Sequence, residues 1–450
     1  MALTAKEAWL PYEPSQAQPW NRRRAAHLFR RAGFAANSAQ LDAAVKDGPQ
    51  AAVQKLLAID APEAVAFASQ NQQFAQAILA RGNPEALVSW WLYAMLHTPT
   101  PLLEKLTLFW HGHFAASAAK VLDPQLMYAQ NTLLRAHALG SFEALVQGIS
   151  RDPAMLIYLD SITNKKTHPN ENYAREVMEL FCLGLGNYTE KDIQELARCF
   201  TGWEIQRKQF KFNSYQHDFG KKTLLGQSGE YNGEDGIRVI LAQPAAPQFI
   251  CKNLVRYFVT DEEVATEMIE PLAQLFRKNE LRVAPVVETL LTSRYFYSEE
   301  ALATKVRSPV ELGISLLRAL EATTSMQKLA VEVADLGQKL FYPPNVKGWD
   351  GGTAWINSAT LLGRTNLIKR VVEDPVTKFG GGTLEAYFDR LGWTKSRELV
   401  DNVAELLVAS ELSAELRSQL AQQIDNAKTR QKGLQQMLHT LGSLPETQLG

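Results

Sequence analysis

"NPEALVSWWLYAMLHTPTPLLEKLTLFW", residues 83–110, reads as two apolar helices separated by a pair of prolines. Asn83 supplies a cap, and Pro84 stands at the first helical position, where its missing N–H costs nothing. Pro99-Thr100-Pro101 interrupts the run, and a second helix restarts there, expected to end at Trp110. Helices apolar on most sides belong at the centre of a helical protein.

Upstream, residues 22–31 place Ala25, Leu28 and Phe29 at helical spacing, which predicts a helix with its arginines on the opposite face. Residues 38–57 read as two short helices broken at Gly48-Pro49. Downstream, residues 122–160 are helical, with stops near Gly140 and at Arg151-Asp152-Pro153. A polar loop, "SITNKKTHPNEN", leads into the helix "YAREVMELFCLGLG". A further helix follows, with Thr189 as its cap.

The texture changes at about residue 203. "WEIQRKQFKFNSYQHDFGKKTLLGQSGEYNG" alternates and is rich in aromatics, Gly and Asn, which predicts a small β-hairpin insertion near 203–230. Helices then resume. "LFYPPNVKGWDGGTAWINSATLLGRTN" is a Pro/Gly-rich loop entering a helix near Trp355, and "DPVTKFGGGT" reads as a linker to polar, amphipathic C-terminal helices. The expected fold is mostly α. A multi-helix globular body over 21–370 carries the β insertion, preceded by an extension over 1–20 and followed by a helical C-terminal region over 371–450.

Composition narrows the function classes. Lys plus Arg (47) and Asp plus Glu (48) balance, which argues against a chain-wide nucleic-acid footprint. Hydrophobic residues at 46% supply ample core. Three cysteines without ligand spacing make neither a disulfide framework nor a zinc site. The first twenty residues do not read as a secretory signal, and no stretch nears ~18 uncharged apolar residues, so no membrane span is expected. The default expectation is the cytoplasm.

"HLFRRAGF", "EKLTLFWHGHF", "HPNENYAREVMELFCLGLGNYTEKDIQELARCFTGW", "HDFGKKTLLG" and "LFYPPNVKGWDGGTAWINSATLLGRTN" occur in that order over roughly 20–370. Together they resemble a large bacterial family, the domain of unknown function 1800. The resemblance implies a fold and motif positions but no activity. Many proteins of that family look exported and accompany a second family, the domain of unknown function 1501, which resembles alkaline-phosphatase-like proteins. The chain departs from the pattern in lacking an evident signal, and in having Gly112 where asparagine is usual. An alkaline-phosphatase-like partner, and export together with it, are what the resemblance implies.

The candidate chemistry lies in four places. His111 and His113 flank Gly112. On a regular helix residues two apart point about 200° from each other, so a shared ion needs the helix to end before them. "THPNENYAREVMELF" places Glu176 and Glu179 three apart, a spacing by which one helix offers two carboxylates to one ion. Arg175 stands between such a site and an anionic substrate, or pairs with Glu179; a structural alternative pairs both glutamates with Arg175, Arg198 or Arg135. "YQHDFGKKTLLG" adds His217 as ligand or base and Lys222 as anion holder, with Asp218 in a tight turn. In the Pro/Gly-rich loop, Asn345, Lys347, Trp349 and Trp355 are expected to line a pocket for substrate or partner.

The leading expectation is a metal-assisted hydrolase. A divalent ion is held by His111, His113, Glu176 and Glu179; Glu179 or His217 serves as base, and Arg175 or Lys222 holds the substrate. The alternative is a non-enzymatic accessory protein that binds the alkaline-phosphatase-like partner through the tryptophan loop.

Overall fold

A computed structural model of the chain describes residues 3–450. The two central helices are Glu85–His97 and Pro101–His113. The Asn83 side chain accepts the Glu85 N–H at 2.9 Å, one residue past the expected register. Trp90, Trp91 and Trp110 are completely enclosed. One polar knot ties these helices to a third, Pro124–His137. Glu104 accepts the Trp91 indole N–H at 2.8 Å and two Arg135 N–H groups at 2.6 and 2.9 Å. A buried carboxylate needs this degree of satisfaction, and the three-way bond fixes the register of the helices.

The second helix does not stop at Trp110. It runs through His113, and the Phe114 N–H closes on the Trp110 carbonyl at 2.8 Å. Gly112 weakens the last turn but does not end it, because the turn is packed by Trp110 on one side and by the 341–349 loop on the other.

The Arg22–Gly33 helix also differs from its pattern. Its arginines do not share a solvent face: Arg24, Arg30 and Arg31 are all at most 5% exposed. Segment 294–307 covers that side. Arg24 reaches Glu299 at 2.9 Å, and Arg31 donates to the Ala301 carbonyl at 2.8 Å.

The β insertion consists of two antiparallel hairpins, Trp203–Gln206 with Gln209–Phe212 and Lys222–Leu224 with Gln227–Gly229. Arg207 and Lys208, both at positive φ, form the first two-residue turn. A third pair, Ala322–Thr323 with Lys378–Phe379, lies outside the insertion. It binds the expected linker at 374–383 back onto the body.

The expected division at 370 falls inside the Ser358–Glu373 helix. The Arg430–Ser443 helix packs along it, and Leu434, Leu438 and Leu441 join the same hydrophobic core as Leu367 and Ile368. The final residues form a strap. The Arg307 N–H donates to the Gln448 carbonyl at 2.9 Å, and the Gly450 N–H to the Lys305 carbonyl at 2.8 Å. Arg364, fully buried, donates to the Gln448 side chain at 2.6 Å. Among the described residues no helix is long and apolar enough to cross a membrane.

Candidate functional site

The loop that follows Gly337 folds onto the C-terminal end of the Pro101–His113 helix. The Asn345 side chain accepts the Lys347 N–H at 2.8 Å, and the Trp349 indole donates to the Gly337 carbonyl at 3.0 Å. His111 fixes the near end: its Nε2 accepts the Phe341 N–H at 3.1 Å. His111 therefore carries its proton on Nδ1, and burial pushes its pKa down to about 3.

His113 points the other way. Its Nε2 lies 2.9 Å from the Phe181 carbonyl and must donate to it. Nδ1 is then a lone-pair acceptor that meets no protein donor. Burial, partly offset by that carbonyl, holds this imidazole neutral with a pKa of about 4. The two rings sit on different sides of one continuous helix and do not meet at a common point.

The segment that His113 contacts is unusual. Asn172–Glu176 is α-helical, but Val177–Cys182 is a π-helix, in which the Leu183 N–H reaches back to Met178. Such wide turns are rare and recur at functional sites. Glu176 closes the α part, and Glu179 lies in the π part. Neither glutamate forms an ion pair among the described residues; Glu179 accepts only the Tyr188 hydroxyl, at 3.0 Å. Partial burial, reinforced by Glu179, raises the Glu176 pKa, against the pull of Arg175 and Lys347.

Between this turn, the loop and the Ala245–Phe258 helix lies a cavity of about 520 Å³. Its walls are aromatic: Phe109, Phe249, Tyr257, Trp349 and Trp355. Its outer rim carries Glu179, Arg256, Lys347 and Asp350. Its inner end is formed by Asp261, Lys305, Glu311 and Gln338. Lys305 pairs with Asp261, and fully buried Lys105 pairs with Glu311. Burial opposes ionisation of Glu311, but Lys105 and Lys305 outweigh it and hold the carboxyl at about 2.

Of the expected site residues, His113, Glu179, Lys347, Trp349 and Trp355 line this cavity. Glu176 adjoins it through Glu179 and Lys347. Asn345 shapes the loop instead. Arg175 does not pair with Glu179; it is held by Glu190 in two bonds of 2.7 and 2.8 Å. Arg198 and Arg135 are likewise taken, by Asp218 with Glu195 and by Glu104. His217 and Lys222 belong to the β insertion. His217 Nδ1 donates to the Thr201 carbonyl at 2.8 Å, and Lys222 Nζ donates to the Asp218 carbonyl at 2.5 Å. Among the described residues no group of three or more His, Cys, Asp or Glu side chains is gathered as a metal site.

The inner end of the cavity was missed by sequence reasoning. Its one local signal was Lys105, a lone cation among the apolar residues of a central helix. The match to known proteins covers this region too. A family model described as a protein of unknown function, DUF1800, matches residues 27–449. The chain belongs to the DUF1800 family. The match takes in the C-terminal helices of this DUF1800 protein as well as the motif-bearing body. No curated protein and no solved structure matches the chain.

Proposed function

We propose that the cavity of this DUF1800 protein is a hydrolytic site in which Glu176 and Glu179 form the acid–base pair. The observation that carries this is that neither has an ion-pair partner among the described residues, although Glu179 lines an aromatic-walled cavity and Glu176 adjoins it. A carboxyl whose pKa is raised by burial is favoured as a proton donor, and a second carboxylate nearby can take a proton. Glu176 protonates the leaving atom, and Glu179, steadied by Tyr188, accepts the proton of the attacking water. Trp349 and Trp355 offer flat faces to the organic part of the substrate.

The metal-assisted form of this reading draws on Glu176, on the Glu179 oxygen that Tyr188 does not occupy and on His113 Nδ1, which would have to draw together to hold an ion, since the described residues gather no such group. His111 has none to give, since Nε2 holds the loop and Nδ1 carries the proton.

The test joins elemental analysis of the purified chain with a screen of chromogenic esters, phosphoesters, glycosides and peptides. Glu176→Gln and Glu179→Gln variants are compared with the parent. Turnover lost in both variants, with helical circular dichroism intact, is the expected result. An inactive, metal-supplemented parent that nonetheless captures an alkaline-phosphatase-like protein through the Trp349 loop would overturn the hydrolase in favour of the accessory role.

A further inference from the structure

Behind the cavity's inner end lies a charge imbalance. Lys305 is answered by Asp261 and Lys105 by Glu311, so these four residues cancel. Arg30, Arg31 and Arg307 stand next to them, each at most 5% exposed. None of the three has an ion-pair partner among the described residues. Arg31 acts electrostatically on both Asp261 and Glu311, and Arg307 acts on Glu311. Arg31 and Arg307 thus act on the two carboxylates at the cavity's inner end, and Arg30 adjoins them through its carbonyl, which accepts from Lys105 at 3.4 Å.

Their hydrogen bonding is incomplete as well. Arg31 gives one nitrogen to the Ala301 carbonyl, and its Nε and Nη1 have no partner. Nε and Nη1 of Arg30 and Nε of Arg307 are equally unmet. A guanidinium does not shed its proton to escape burial, and two carboxylates shared among five largely buried cations leave an excess of positive charge that an added anion would offset. The cavity is where an anion from solution can approach. At its floor Lys305 is the lysine that reaches the lining. At its rim Glu179 and Asp350 balance Arg256 and Lys347, so no excess of positive charge competes there.

We infer that the cavity floor is a binding site for a compact oxyanion, in which Lys305 makes the contact and Arg31, Arg30 and Arg307 supply the field behind it. This rests on the hydrolytic reading for its substrate: the ligand carries a phosphate, sulfate or carboxylate at one end, directs it inward, and presents an uncharged bond to the glutamates at the rim.

The experiment is thermal unfolding and calorimetry of the full chain with inorganic phosphate, sulfate and acetate, with ionic strength held constant by chloride. Saturable stabilisation by at least one anion beyond that of chloride is expected, and the order of the three identifies the oxyanion. Lys305→Met, in which Arg31 remains to answer Asp261, should weaken binding about tenfold or more. Arg31→Met is the second variant and should do the same. Lys221→Met, exposed just before the Lys222–Leu224 strand, should leave the affinity unchanged. Stabilisation no greater than that of chloride, or an affinity unmoved in whichever of the two floor variants folds, overturns the site. The two proposals fail separately. Glu179→Gln should abolish turnover yet leave phosphate binding intact, whereas turnover without any anion binding would remove only the floor site.

Discussion

Gly348 rests on the carbonyl oxygen of Gly112: a Cβ built on Gly348 falls 2.2 Å from that oxygen. The contact joins the tryptophan loop to the helix that carries both histidines. Gly348 also has φ +77°, a conformation that disfavours any side chain. Gly348→Ala should therefore destabilise the chain by about 1–3 kcal/mol and lift the loop from the cavity. Urea unfolding measures the first effect, and quenching of tryptophan fluorescence by iodide the second.

Gly112 is the opposite case. A Cβ built there meets nothing within 4 Å, and the residue is helical. Gly112→Asn should fold with equal or slightly greater stability, by up to about 0.5 kcal/mol. Its side chain would narrow the cavity, which Gly112 lines. A loss of several degrees in Tm would contradict this.

Glu176→Gln should stabilise the fold at neutral pH. A carboxyl whose folded pKa is raised holds its proton more tightly folded than unfolded, so its ionisation on going to higher pH costs stability. The glutamine removes that cost. The gain should be present near pH 7 and vanish at low pH, where Glu176 is protonated in both states. Because the group is half-exposed, the gain should not exceed about 1 kcal/mol. Equal Tm values for the two proteins at pH 7 would refute the burial argument.

His111 and His113 should make the fold acid-sensitive. Their folded pKa values, about 3 and about 4, lie below the value of about 6.5 in an unfolded chain. Each contributes stability that is full above about pH 6.5 and lost as pH falls toward its folded pKa, at ~1.4 kcal/mol per pH unit. His111→Gln retains an acceptor for the Phe341 N–H and removes one proton-binding site. Its unfolding free energy should fall less steeply between pH 6 and pH 4 than that of the parent; parallel slopes would exclude His111 as a source.

Glu311→Gln should be severe. It leaves Lys105, 2% exposed, with no opposing carboxylate, and breaking a buried pair on one side typically costs about 3–5 kcal/mol. Glu311→Gln with Lys105→Met should recover much of that loss. Urea unfolding of the single and double variants provides the comparison.

The mostly helical fold and its β insertion were legible because apolar spacing and turn chemistry act over a few residues. Pro84, Pro101 and Thr189 stand at helix starts, whereas the turn of the first hairpin, Arg207-Lys208, has neither Gly nor Asn and left no turn signal. The helix end was misjudged at Trp110 because what supports Gly112 is a loop more than two hundred positions away. The Arg22–Gly33 helix was misjudged for a related reason. A run rich in arginine looks solvent-facing until segment 294–307 covers it. Glu179, Trp349 and Trp355 stood out as charge within an apolar helix and aromatics within a Pro/Gly loop, and they line the cavity. Asp261, Lys305 and Glu311 did not, because they come from separate segments and each looks locally like an ordinary surface charge. The π-turn at Val177–Cys182 leaves no mark in spacing that a regular helix would not also leave.

The strap formed by Gln448 and Gly450 has a consequence for the order of biosynthesis. The inner end of the cavity includes Lys305, whose backbone, like that of Arg307 behind it, is held by residues 448–450, while Arg30 and Lys105 behind it come from the early part of the chain. A nascent chain thus has its helical centre hundreds of residues before it can close the floor. Residues 448–450 brace the segment that carries Lys305, and a change there should disturb the inner end of the cavity.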